Sequence, residues 1–146
     1  VDAQKIMERA TMTVGGLGLD IVQHAHVRRI VDRFGSKLAE RLLAPEELDA
    51  YQALLDGELR SRFLAKRFAA KEAAAKALGT GFRFGITLKD IVVRNDALGA
   101  PSIIFLGKAA ERFAALRGES VWLSITDDAM QAAAVVVLSL APSERS

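Results

Sequence analysis

Phe63–Leu78 reads FLAKRFAAKEAAAKAL, and the fold turns on this stretch. Alanine is the best helix former, and no Gly or Pro interrupts the run. Extended back to Glu58 it is the longest helical pattern in the chain, and Gly79-Thr80-Gly81 stops it. Phe68, Glu72 and Lys76 recur every four residues and so form one row along the helix. An exposed Glu–Lys pair at that spacing contributes only about 0.3–0.5 kcal/mol, and most such pairs do nothing more. Density argues for more here, because Lys66, Arg67, Lys71 and Lys76 surround the single Glu72. These five charges cannot all face water while the helix also packs. A carboxylate ringed by cations suits a site for a metal and phosphates. The glycines that follow would let a backbone approach a ligand closely.

Working outward, Val14–Val22 (VGGLGLDIV) reads as a first strand. Gly15, Gly16 and Gly18 are costly inside a strand unless another backbone or a ligand comes close. Asp20 stands among Leu19, Ile21 and Val22, where an unpaired carboxylate is heavily penalised, so a cation or donor should be near. A cap for the helix that follows is the commoner use of such an Asp, and metal ligation is the alternative. His26–Phe34 and then Leu38, Leu42 and Leu43 carry helical spacing, with Gly35 as the break and Ser36 as a cap. Ala44-Pro45-Glu46-Glu47 opens a third helix, which Asp56-Gly57 ends. Beyond the alanine helix, strands at Asp90–Val93 and Pro101–Leu106 flank the turn Asn95–Gly99 and predict a hairpin. A short helix over Gly107–Leu116 and two strands, Ser120–Thr126 and Met130–Leu140, complete the chain. Val121, Leu123 and Ile125 share one face, and Trp122 is expected to pack the sheet. The order β–α–α–α–β–β–α–β–β predicts an α+β domain with helices packed on one face of a mostly antiparallel sheet.

The 146 residues suit a single domain, and 51% hydrophobic with 26% charged residues argues against disorder. The lack of cysteine excludes disulfides, thiolate metal sites and a cysteine nucleophile, and it fits a reducing compartment. The apolar run from Ala132 to Ala141 is about ten residues where a spanning helix needs about twenty, so it predicts a buried strand and no membrane association. Val1–Thr11 contains Lys5, Glu8 and Arg9 without an apolar centre, unlike a signal peptide, and a cytoplasmic location is expected. The expected organisation is an N-terminal extension over 1–13, natural or added by cloning, one domain over 14–141, and a short tail over 142–146. Met12 would serve as a native start.

A net charge of +2 hides a basic stripe: Arg28, Arg29, Arg33, Lys37 and Arg41, interleaved only with Asp32 and Glu40. Charge runs are usually solvated faces. The functional reading is a docking surface for an acidic partner. Aromatics make up 6% and no ladder of them accompanies the stripe, which argues against nucleic acid.

VGGLGLDIV, FLAKRFAAKEAAAKALGTG, DIVVRNDALGAPSI and SITDDAMQAAAVVV, in this order and spacing, resemble the holo-acyl-carrier-protein synthases, the small bacterial 4'-phosphopantetheinyl transferases. The resemblance spans Val14 to Leu138. It implies a homotrimer with active sites shared between subunits. It also implies a Mg²⁺-dependent transfer of phosphopantetheine from coenzyme A to a serine of apo acyl carrier protein, with adenosine 3',5'-bisphosphate leaving. Asp20 and Glu72 match the metal-binding carboxylates, and Lys76 matches the lysine near the phosphates. Arg67, Phe68, Gly79 and Gly81 match positions lining the coenzyme A site, and Pro101 borders it. Lys71 is a further candidate phosphate contact. The proton of the attacking serine would go to Glu72 or to a metal-bound water, and the two stay open.

The same resemblance places His26, Arg28, Arg33, Lys37, Leu38 and Arg41 on or near the carrier-docking helix. Three positions depart from the pattern. Gln23 stands where relatives often have Glu, His26 where they have Arg, and Asp127 where many have a His beside the nucleotide. An Asp repels a phosphate, so Asp127 is expected outside the nucleotide site. The rival expectation, supported only by the departures at His26 and Asp127, is a non-catalytic basic module that holds an acidic protein or a nucleotide.

Overall fold

The alanine stretch becomes the central helix of the molecule. In a computed structural model, residues 2–4 and 13–142 are described. The expected N-terminal extension and the C-terminal tail therefore lie mostly outside the described residues. Strand β1 (Thr13–Gln23) leads into helices α1 (His24–Phe34), α2 (Lys37–Leu42), α3 (Pro45–Gln52) and α4 (Gly57–Ala77). A 3-10 turn at Leu88–Asp90 precedes the hairpin β2 (Ile91–Asn95) and β3 (Pro101–Phe105). Helix α5 (Gly107–Ala115) and strands β4 (Gly118–Asp127) and β5 (Gln131–Leu140) close the domain. The expected α+β order is present, with two corrections. The strands form two antiparallel sheets, β1-β5-β4 and β2-β3. Trp122 lies 56% exposed on β4 instead of packing inward.

Helix α4 is buried on most of its circumference: Leu64, Ala65, Ala69, Ala70, Ala73, Ala74 and Ala75 are fully covered. Small side chains allow this, because neighbouring backbones can come close on several sides. The strand glycines are the other half of that contact. A Cβ built on Gly16 or Gly18 would overlap the carbonyl oxygens of Ala77 and Ala73. The close backbone approach that would excuse glycines in a strand is thus made by α4. Asp56 caps the start of α4, accepting hydrogen bonds from the backbone N–H of Glu58 and Leu59 at 2.8 and 3.0 Å. At the other end Gly79 takes a left-handed φ of 77° and the Arg112 Nε donates to the Leu78 carbonyl at 2.9 Å.

The pleat of β1 sorts its side chains. Gly18 and Val22 are buried towards α4, and Asp20, in phase with them, lies on the same side. Leu17, Leu19 and Ile21 point the other way and are 65%, 59% and 55% exposed. They pair across the sheet with Val137, Val135 and Ala133. The outer face of the three-stranded sheet is therefore apolar across β1 and β5, and β4 adds Trp122 beside Val137 together with Ser124 and Thr126. Among the described residues, no helix is long and apolar enough to cross a membrane.

Candidate active site

Asp20 does not cap a helix. The N-cap of α1 is Gln23, three residues on, and Asp20 sits inside β1. Because it shares the α4-facing side of the strand, it meets the row that the helix period places there. Lys76 Nζ donates to Asp20 Oδ1 at 3.1 Å and to the Leu19 carbonyl at 3.0 Å. Glu72 lies one turn earlier on the same row. Burial and then the Asp20 charge raise the pKa of its carboxyl above the ordinary value, with Lys76 partly opposing. Asp20, Glu72 and Phe68 line one open hollow of about 600 Å³, together with Ile21, His26 and Arg29.

A second, smaller hollow of about 230 Å³ lies on the opposite side of α4. Arg67 and Pro101, both expected at the coenzyme A site, meet there. Phe63, Lys66, Asn95, Gly99, Ile125 and Asp127 complete the lining. The sequence reading missed most of these, since Asn95–Gly99 looked like a turn and nothing more. Only the fold lays that turn over α4 beside the end of β4. Asp127, expected elsewhere, belongs to this cleft too. Its carboxylate stands 3.6 Å from Arg62 and 3.9 Å from His24, so its charge is partly met within the chain.

One expected contact must be withdrawn. Lys71 was a candidate for the phosphates, but its side chain is 0% exposed. Its ammonium donates to Glu47 Oε1 and the Leu42 carbonyl, both at 2.6 Å, and to the Leu88 carbonyl at 3.1 Å. Three short bonds use all three donors of the ammonium, so no donor is left for a ligand. Burial lowers its pKa and Glu47 opposes that shift. The crowding of charge on α4 is thus resolved by placing one lysine inside.

Gly79 and Gly81 follow α4 with positive φ. Gly79 borders a third hollow with Thr80, Phe84 and Lys108, apart from the carboxylates. On α1, His26, Arg28, Arg29 and Arg33 are exposed, as are Lys37 and Arg41 on α2. Leu38 is half-buried and packs against the core, so it could offer a partner only an edge.

Two carboxylates on one hollow, an ammonium bonded to Asp20, and a separate cationic cleft describe a site for a phosphate ester and a cation. The family model for the 4'-phosphopantetheinyl transferase superfamily matches residues 16–135, and the chain belongs to that superfamily. A holo-(acyl-carrier-protein) synthase of Halorhodospira halophila is 46% identical over 125 residues, which cover 86% of this chain and 97% of that one. The crystal structure of the corresponding Neisseria meningitidis synthase superposes with a TM-score of 0.78 at 37% identity, covering 86% and 98% of the two chains. That of Helicobacter pylori, in complex with coenzyme A, does so with a TM-score of 0.72 at 34% identity, covering 84% and 99%. Within the superfamily this chain is an enzyme of the holo-(acyl-carrier-protein) synthase kind.

Proposed function

We propose that this enzyme transfers 4'-phosphopantetheine from coenzyme A to a serine of apo acyl carrier protein, and that it depends on Mg²⁺. The observation that carries the reading is the meeting of Asp20 and Glu72 in one open hollow, with the Lys76 ammonium bonded to Asp20.

The two carboxylates fit Mg²⁺. Glu72 is raised in pKa partly by the Asp20 charge, and a divalent cation between them would relieve that repulsion. No third metal-type side chain joins them among the described residues. Mg²⁺ is commonly held by one or two carboxylates plus phosphate oxygens and water. When bound, it would supply charge neutralisation to the pyrophosphate. The remaining work falls to the chain. The serine oxygen bonds to the β-phosphorus, the bond from that phosphorus to the leaving 3',5'-bisphosphate breaks, and the serine proton must be taken up. Glu72, which faces the hollow, or a water there would take that proton. Lys76, half exposed and bonded to Asp20, can offer its charge to the leaving phosphate.

The nucleotide end of coenzyme A is assigned to the Arg67–Pro101 cleft. That cleft and the carboxylate hollow lie at opposite edges of the β1-β5-β4 sheet, so one chain does not bring them together. A neighbouring copy would. The exposed apolar sheet face that separates the two edges supports a homotrimer with active sites between subunits. The basic stripe on α1 and α2 would dock the acidic carrier.

The test is incubation with coenzyme A, Mg²⁺ and an apo carrier protein. A mass gain of one phosphopantetheine on the carrier is expected. No gain from folded enzyme and a competent carrier would remove the proposal. A pure protein-docking module would give no such gain and no Mg²⁺-linked coenzyme A binding in calorimetry.

A further inference from the structure

We propose that the buried Glu47–Lys71 pair positions Arg67, fixing its guanidinium at the wall of the nucleotide cleft. The inference rests on reading that cleft as part of the coenzyme A site. Glu47 is 2% exposed. Its Oε1 accepts from Lys71 Nζ at 2.6 Å and from the Ala44 N–H at 3.1 Å. Its Oε2 lies 3.4 Å from the Val93 nitrogen and 3.8 Å from Arg67 Nε. One carboxylate thus joins the start of α3, strand β2 and helix α4.

Arg67 precedes Lys71 by one helical turn, so both reach towards Glu47 from the same face. Its side chain is only 11% exposed. The guanidinium stands 4.7 Å from the centre of the Phe63 ring and donates to Asn95 Oδ1 at 3.3 Å. Glu47, Phe63 and Asn95 therefore hold the group on three sides, and the donors left over belong to the cleft wall. Burial works against the Arg67 charge, and Glu47 is the strongest charge opposing that effect.

A buried ion pair is weak grounds for stability, since a well-packed apolar pair often does as well or better. Its retention calls for another use. Here the bond to Lys71 fixes the direction of the Glu47 carboxylate, and the next cation that it faces is Arg67. Lys71 therefore serves the phosphate site at one remove, through Glu47 and Arg67.

The experiment compares wild type, E47Q/K71M, R67A and the triple variant in steady-state transfer and in coenzyme A calorimetry, with melting curves for each. E47Q/K71M removes both charges and leaves neither alone inside. It should raise the KM for coenzyme A about tenfold, as should R67A, with kcat within about threefold and the carrier KM unchanged. The triple variant should be no worse than R67A alone, because there is no guanidinium left to position. A merely structural pair would lower kcat or stability without that non-additivity. The proposal is overturned if folded E47Q/K71M keeps the wild-type KM, or if the triple variant multiplies the two defects. Should E47Q/K71M fail to fold, E47Q alone decides by the same comparisons, since Gln keeps the shape and its one amide oxygen can still accept from Ala44. Wild type that neither binds nor uses coenzyme A would bring down the cleft assignment and this proposal together, a result distinct from a defect confined to the variants.

Discussion

Glu72 shows how a single residue serves function at a cost to the fold. Burial and the neighbouring Asp20 charge raise its pKa, so its ionised form is disfavoured in the folded state. A raised folded pKa means that the cost is absent below the unfolded pKa and grows as pH rises through the folded one. Metal-free E72Q should therefore melt higher than metal-free wild type near neutral pH, and the gap should close towards the acid carboxylate range. Equal melting temperatures at all pH values would contradict this. The same substitution, like D20N, should cut transfer by about a hundredfold or more while the chain stays folded. Wild-type rates in both would remove these carboxylates from the mechanism. The row Phe68, Glu72 and Lys76 was legible in the sequence because helical periodicity is local. The fate of Lys71 was not. Its partner Glu47 lies 24 residues away in the chain, and whether a lysine sits inside depends on what the fold brings to meet it.

At the level of elements, β1 and α4 act as a pair. The sequence showed that glycines in VGGLGLD needed a close neighbour, though not which one. The neighbour is the alanine face of α4, and the contact is what sets Asp20 beside the Glu72–Lys76 row. G18A should therefore cost about 3 kcal/mol or more, because the overlap is with a backbone carbonyl and no side chain can move aside. Urea unfolding measures it, and a loss under about 1 kcal/mol would show that strand and helix can part cheaply. The hairpin β2-β3 was also readable, as turn signals are local, but its position over α4 was not. For that reason Pro101 was linked to the same site as Arg67 only through resemblance, while Asn95 and Phe63 were overlooked. On α1 and α2 the basic stripe is exposed as the sequence suggested. R33E/K37E should raise the carrier KM and weaken its salt dependence while leaving coenzyme A binding intact. An unchanged KM would move the docking face elsewhere.

For the whole molecule, the main feature is a separation. The carboxylates stand at the β1 edge of the three-stranded sheet and the Arg67 cleft at its β4 edge, with an apolar face between them. A chain this small brings the two halves of the expected site into the same molecule but not to the same place. The alternating strand patterns were visible in the sequence. The emptiness of one sheet face was not, since a strand pattern does not say whether its second face meets a helix, water or another copy. If the face is covered by a neighbouring copy, the carboxylates of one chain and the cleft of the next form one site. Mixing D20N chains, nearly inactive alone, with R67A chains, assayed at coenzyme A well below the wild-type KM where R67A alone runs about tenfold slow, tests this directly. Co-assembled enzyme should recover about a quarter of wild-type transfer, because one subunit contact in four then joins an intact carboxylate edge to an intact cleft. A mixture no more active than the sum of its two parents, despite demonstrated co-assembly, would contradict a site shared between copies.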